Sequence, residues 1–369
     1  MLVELLEKAT EQFSRKLPFV LYRKPNAGEV TFMAQGDATL HQVTTFAETG
    51  FVFAPFEKEQ KTILIPPDMV DRAKYTPRSV NGISDLTYPS ELPISKKKHL
   101  ALVEKGIEAI EKGAFEKVVL SRKIEVDCTK SPIKLFRELL DVYQKAFCYL
   151  WYHPEVGVWL GATPETLTTI RNRKLKTMSL AGTREYNIGA SPDWGQKERN
   201  EQKLVTSYIS DALHGTISNI EVSETTSVRA GNLWHLRTVI SGVLQHSGIK
   251  NVIEALHPTP AVCGLPQKAS EHFIREHEGY SREYYTGYLG EMNIKERITR
   301  PSTRRNQENK AYGIVRNNTA LYVNLRCMQF QNNKAIVYVG GGVTKASIPE
   351  KEWEETVAKS KTILKIVFN

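Results

Sequence analysis

Four short runs, FVLYRK (residues 19–24), EVTFMAQG (29–36), FVFAPF (51–56) and KTILIP (61–66), decide the fold class. Each is rich in β-branched and aromatic residues, and the stretches between them carry Pro, Gly, Asn and Asp, as between successive antiparallel strands. The last third repeats the pattern in YYTGYLGEM (284–292), TALYVNLRCMQF (319–330) and KAIVYVGGGV (334–343). KVVLSRKIEV (117–126) predicts another strand, and CYLWYHP (148–154), VGVWLGATP (156–164) and KLKTMSL (174–180) predict a meander. Helical spacing appears elsewhere. Leu2, Leu5, Leu6, Ala9 and Phe13 mark a first amphipathic helix. Ser95 caps a second through HLALVEKGIEAIEKG (99–113), which Gly113 ends. Further helices are expected near Ile133–Gln144, Lys197–Leu213 and Val252–Leu256, and at the C-terminus. Strands and helices in separate blocks specify an α+β fold rather than a doubly wound parallel sheet. With no linker, the expectation is a single large domain over 1–369, an antiparallel β-sheet sandwich flanked by helices. Residues 1–94 are its strand-rich N-terminal part.

The 369 residues are 25% charged and 41% hydrophobic, a composition that suits a large core. No run of about 18 apolar residues predicts a membrane span, and the opening MLVELLEKATEQF lacks the basic start of a signal peptide. A cytoplasmic protein with no membrane partner is expected. Cys128, Cys148, Cys263 and Cys327 form no C-x-x-C pair and are read as reduced and packed, and no zinc spacing of histidines occurs. The net charge of +9 is concentrated. Between Lys295 and Arg316, seven basic residues stand against two acids, which gives +5 of the total. That segment holds a single aromatic, Tyr312, so a base-stacking platform is poorly supported and no nucleic-acid partner is expected. A non-catalytic polyanion- or nucleic-acid-binding protein using residues 295–316 is the alternative reading, and it calls for a steep salt dependence.

Carboxylates at helix faces give the first chemical signal. Leu204, Val205, Tyr208, Ala212 and Leu213 mark a buried stripe, and Glu201 falls at its rim. Such a charge needs a cation or donors, unless it is simply first-turn charge. In the terminal helix Ser347 and Glu350 have capping-box spacing, with Pro349 in the first turn. Glu352, Glu355 and Lys359 share one face, and on spacing alone Glu355 and Lys359 are an exposed i,i+4 pair. Gly340-Gly341-Gly342, read as a turn before that helix, suits an anionic ligand group but is neither a dinucleotide fingerprint nor a P-loop.

Ten motifs occur in order: FEKVVLSRK, GATPETL, SLAGTRE, KERNEQKLV, LWHLRTVISG, LHPTPAVCGLP, EGYSREYYTGYLG, VNLRC, VGGGV and EWEETVAKSKTIL. Together, over about residues 95–369, they resemble the chorismate-utilising enzymes, and among these the isochorismate synthases. The resemblance implies an isomerase that adds water at C2 of chorismate while the C4 hydroxyl leaves, reversibly and with Mg2+. It implies Lys117 as general base, Glu165 as general acid and His235 as an orienting catalytic residue. Glu201 and Glu355 would hold Mg2+, a set of oxygen donors that suits a partly hydrated octahedral ion. Arg326, Lys359 and the amides around Gly340 and Gly341 would bind substrate carboxylate, with Thr183 and Ala261 also in the substrate site. Glu278 and Arg282 would scaffold the site, and with Glu352 would stand behind the metal ligands. Read without the resemblance, Lys117 snorkels at a strand end and Glu165 follows Pro164 in a surface turn. Strand alternation sets Tyr322 and Arg326 on the same side.

Lys117 favours the water-using branch, because ammonia-using relatives carry glutamine there; no glutaminase subunit is therefore expected. Ala261 stands where salicylate synthases and ammonia users tend to have threonine, which favours stopping at isochorismate. Salicylate synthase, which goes on to eliminate pyruvate, is the alternative within the family. Such a product feeds menaquinone, catecholate siderophore and salicylate synthesis alike. The stretch 291–318 is longer and more basic than the resemblance leads one to expect, and is read as a hairpin extension, a lid or a partner surface. A monomer or weak homo-oligomer is expected.

Overall fold

The computed structural model describes residues 1–78, 93–186, 191–231, 233–245, 248–298 and 314–368. In chain order they begin with α1 (Leu2–Ser14), β1 (Phe19–Arg23), β2 (Glu29–Ala34), β3 (His41–Gln42), β4 (Gly50–Ala54), β5 (Ile63–Ile65) and β6 (Met69–Lys74). Then come α2 (Pro93–Glu111), β7 (Lys117–Asp127), α3 (Pro132–Val142), β8 (Phe147–His153), β9 (Gly157–Thr163), β10 (Thr166–Arg171) and β11 (Lys174–Glu185). The middle holds α4 (Gln196–Ala212), β12 (Ile217–Val222), β13 (Thr226–Ala230), β14 (Leu233–Leu244), α5 (Ile249–Leu256), β15 (Gly264–Leu265) and α6 (Gln267–His277). The chain closes with β16 (Tyr288–Ile298), β17 (Ile314–Val323), β18 (Cys327–Gln331), β19 (Lys334–Thr344) and α7 (Pro349–Phe368).

Two antiparallel sheets result. The first runs β15-β7-β19-β18-β9-β8-β1-β2-β6, the second β12-β14-β11-β10-β17-β16-β4-β5-β3, with β13 beside β14. The α+β sandwich expected from the sequence is therefore present. Its wiring differs in two respects. The four N-terminal runs do not pair in succession: β1 and β2 join the first sheet, β4 and β5 the second, and β6 returns to the first. The expected meander likewise splits between the sheets, with β8 and β9 in one and β10 and β11 in the other.

Alternation along each strand explains the layers. In β1, Phe19 and Leu21 face the core under α1, α3 and α7, while Val20 and Tyr22 face the space between the sheets. That space is filled by aromatic rings. Phe147 stacks on Tyr322 at 4.0 Å, Phe53 meets Trp151 at 4.9 Å and Trp159 stacks on Tyr338 at 5.3 Å. Tyr322 therefore belongs to the aromatic layer. Arg326 does not share its side, because β17 ends at Val323 and Arg326 adopts a left-handed backbone, φ 49°.

Helices cover the outer faces. Ser131 caps α3 by accepting the Lys134 N–H, and the left-handed Gly113 follows the end of α2. The buried stripe of α4 is Gln202, Val205 and Ile209, one residue round from the expected set. α7 starts at Pro349, which leaves Ser347 one residue outside the cap; its hydroxyl accepts the Thr344 N–H. The three glycines lie inside β19, paired with β7 along their whole length, rather than in a turn. The 291–318 stretch is a hairpin in its described part, with Ile298 opposite Ile314; residues 299–313, and most of the basic charge, lie outside the described residues. All four cysteines are buried and free. Among the described residues no helix is long and apolar enough to cross a membrane.

Trp159 is fully buried at the centre of the aromatic layer, against Phe53, Tyr284 and Tyr338. Trp159→Ala is expected to cost about 3–5 kcal/mol, read as a lowered midpoint in urea denaturation.

Candidate active site

The site is built where β19 outlasts its neighbour. β18 pairs with β19 only as far as Val337, so the backbone from Gly340 to Gly342 is joined to β7 on one edge and not covered by β18 on the other. A cavity of about 710 Å3, counted out to its open mouth, lies along these glycines. Side chains would fill it. A Cβ on Gly342 would lie 2.6 Å from Glu201 Oε1 and 3.0 Å from Lys117 Cε, and one on Gly340 would lie 2.9 Å from Tyr285 Oη.

Lys117 opens β7 with its side chain 1% exposed and its Nζ 2.8 Å from Glu201 Oε1. It does not snorkel. Glu201 comes from α4, which packs on β11 and β14 of the second sheet, so this ion pair bridges the two layers. Glu165, just after β9, is also buried rather than on a surface turn. Its carboxyl is pushed up to about 7, because burial outweighs the opposing pull of Lys117, Lys359 and Arg326. Burial thus keeps a proton on this carboxyl into the neutral range.

His235, on β14, lines the same cavity. A register irregularity in β11 between Ala181 and Arg184, around the left-handed Gly182, presents the Gly182 carbonyl 2.8 Å from His235 Nδ1. A carbonyl only accepts, so Nδ1 carries the proton and Nε2 offers a lone pair, to which Arg326 Nη2 donates at 3.4 Å. Burial first and the Arg326 charge second push the imidazole down to about 3, which keeps it neutral. Arg326 also donates to Thr362 Oγ1 at 3.3 Å and to the Lys359 carbonyl at 3.5 Å. Its left-handed backbone, and that of Thr286 (φ 62°), are costly for residues with a Cβ, and both line the cavity.

Three carboxylates flank the glycines, each with its own lysine. Glu201 has Lys117, Glu355 has Lys359, and Glu352 has Lys197 at 2.5 Å. Lys359 Nζ also donates to the Gly340 carbonyl at 2.9 Å. The Glu355–Lys359 pair is therefore not an exposed surface pair; it lies inside the cavity wall. Burial disfavours the Glu355 charge, but Lys359 holds its carboxyl below the ordinary range. Burial and the Glu355 charge push Glu352 up, and Lys197 pulls it back. Among the described residues, no group of three or more His, Cys, Asp or Glu side chains converges as a metal-binding cluster. The donors present are oxygens only, of the kind magnesium takes one or two at a time alongside water and substrate.

Of the residues singled out from the sequence, Glu165, Thr183, Glu201, His235, Ala261, Arg326, Gly340, Gly341, Glu355 and Lys359 line this one cavity. Lys117 reaches it through Glu201, and Glu352 stands beside Glu355 at Gly341. Glu278 and Arg282 lie behind the wall. Arg282 donates to the carbonyls of Val119 (2.6 Å) and Val262 (2.9 Å), and Glu278 accepts from Ser121 N at 2.7 Å. They clasp two backbone segments of the wall, and none of these contacts is with Glu201 or Glu355. Tyr285, Thr286, Tyr338 and Leu180 also line the cavity and were not foreseen, nor was Lys197. Nothing in YYTG distinguishes Tyr285, at the cavity, from Tyr284, which stacks on Phe53 at 4.3 Å.

Glu165 ties the site to pH. The folded chain holds its proton more tightly than the unfolded chain, whose ordinary value is 4.5. Its contribution to native stability is therefore complete below about pH 4.5 and is lost as pH rises through about 7. Glu165→Gln removes that loss, so thermal melts should show the variant more stable than the parent at pH 8, by up to ~3 kcal/mol, and the gain should vanish by pH 4.

Comparison with known proteins sets the site in context. Residues 57–297 match the family described as chorismate binding enzyme, and residues 311–365 match a second description of the same name. The chain is 29% identical over 264 residues to the vibriobactin-specific isochorismate synthase of Vibrio cholerae, covering 68% of this chain and 61% of that protein. It is 27% identical over 269 residues to the isochorismate synthase MenF of Escherichia coli, covering 69% of this chain and 56% of that one. The chain thus spans about three fifths of the length of these curated relatives. In fold it superposes on a Bacillus anthracis protein assigned as a 2,3-dihydroxybenzoate-specific isochorismate synthase, DhbC, with a TM-score of 0.78 at 24% identity, over 98% of this chain and 99% of that one.

Proposed function

Because the chain belongs to the chorismate binding enzymes, we propose that it is an isochorismate synthase, an isomerase that interconverts chorismate and isochorismate with Mg2+. The observation that carries this reading is the pairing of a buried lysine, Lys117, with a buried carboxyl, Glu165, that keeps a proton near neutral pH beside the same cavity. Water addition with loss of a hydroxyl needs one group of each kind. As neutral amine, Lys117 takes a proton from water while the water oxygen bonds to C2. Both ring double bonds shift by one position, the C4–O bond breaks, and Glu165 gives its proton to the departing hydroxide. The two protons balance, so no net water is consumed.

The remaining residues bind and orient. Arg326 and Lys359 supply positive charge for a dianion, and Arg326 offers the planar fork that suits a carboxylate. The neutral His235 accepts an Arg326 N–H at Nε2 and so orients the guanidinium, and through it the substrate. Glu201 and Glu355 are the residues that would hold Mg2+, which when bound supplies charge to draw in the ring carboxylate. Glu201 Oε1 faces Lys117, so a cation held at Glu201 would compete with that lysine for the same carboxylate. Ala261 leaves the cavity wall small where a threonine hydroxyl would project, which supports a reaction that stops at isochorismate.

The test is to incubate the protein with chorismate and Mg2+ and resolve the products by chromatography. Isochorismate that disappears with EDTA is expected, whereas salicylate with pyruvate would move the protein to the eliminating branch. Lys117→Ala should lower turnover by about a hundred- to ten-thousand-fold, and near-normal turnover would remove Lys117 as base. Ala261→Thr is expected to divert product toward salicylate and pyruvate; an unchanged product ratio would end that argument.

A further inference from the structure

The three lysine–carboxylate pairs at the site are not equivalent. Lys359 and Glu355 are one turn apart on α7, and that pair reports only on its own helix. Lys117 reaches Glu201 from β7 beneath. Lys197–Glu352 alone among the three joins the first turn of α4 to the first turns of α7. Lys197 stands four residues before Glu201, and Glu352 three before Glu355, so each lies on the same helix face as a proposed metal ligand. The two helices belong to different layers. α4 packs on β11 and β14 of the second sheet, α7 on β19 of the first. Glu201 and Glu355 both line the cavity, and nothing between two carboxylates draws them together. Left to themselves, like charges push their helices apart.

We propose that Lys197 is a positioning residue: its ion pair with Glu352 is a strut across the cavity that fixes the separation of Glu201 and Glu355 for a divalent cation. The inference rests on the metal reading above and deepens it. Glu352 is 3% exposed and Lys197 31%, so the pair is sheltered at one end and reachable at the other, a geometry less screened than a surface pair. Bare electrostatics makes the opposite forecast. Removing a positive charge next to three carboxylates should tighten cation binding, so the sign of the effect separates the two ideas.

The experiment is a titration of the protein with Mg2+ alone, without substrate, followed by calorimetry and by the rise in melting temperature. Lys197→Met is expected to raise the half-saturating Mg2+ about tenfold or more, as loss of an outer partner of a metal ligand does, along with a lowered metal-free melting temperature from the stranded Glu352. Lys197→Arg keeps the strut and should bind Mg2+ close to the parent level. Unchanged or tighter Mg2+ binding in Lys197→Met would overturn the proposal, as would a lowered metal-free melting temperature with Mg2+ affinity intact. Glu355→Gln separates the two readings. If the parent gives no Mg2+ response, or Glu355→Gln responds like the parent, the metal reading fails and this inference falls with it.

Discussion

Lys117 is buried with its ammonium 2.8 Å from Glu201, and the architecture around the cavity follows from keeping that charge company. An unpaired ammonium in the interior costs several kcal/mol, and losing one partner of such a pair strands the other. The lysine starts a strand of the first sheet, and the glutamate sits on a helix packed against the second. The sandwich must therefore close in one register for the charge to be met. Lys197–Glu352 repeats the demand at the rim. Polar pairs of this kind add little net stability, but they penalise any closure in which the layers slide.

The second constraint is room. A strand through a reaction site usually fills it with side chains, and here three consecutive glycines remove them while β7 keeps the backbone fixed. Substrate can then approach main chain directly, while the charged groups arrive from the flanking helices and from β14. The left-handed backbone at Thr286 and Arg326 belongs to the same compromise. A turn that delivers Arg326 to the cavity cannot also keep strand alternation, so the Tyr322 ring and the Arg326 guanidinium part company.

How far the sequence foretold this depends on the range of the interactions. Period-two runs such as FVLYRK and KAIVYVGGGV are local, and they produced strands where expected. Sheet membership is not local: nothing in FVFAPF shows that Phe51 and Phe53 pair with β16, more than 230 residues away, rather than with β1. The same limit applied to the site. Glu201 was legible as a charge at the rim of an apolar stripe, whereas Glu355, an ordinary i,i+4 pair by spacing, stood out only through the motif resemblance. Lys197 was not legible, since a lysine in a first helical turn is ordinary until Glu352 is seen beside it. The glycine run reads as a turn by its sequence, because only the β7 partner shows that it continues a strand.

The crossing of the N-terminal chain between sheets has a consequence for biosynthesis. β1 pairs with β2 and β4 with β5 early, but β1 gains its second neighbour only when β8 has been made, β4 only when β16 has, and β7 gains β19 more than 200 residues later. Pairings this distant in sequence are slow to close, because loop entropy must be overcome before any contact repays it. On the ribosome, residues 1–78 therefore emerge long before the strands that complete their two sheets. The cavity, whose floor is β7 against β19, is among the last features to exist.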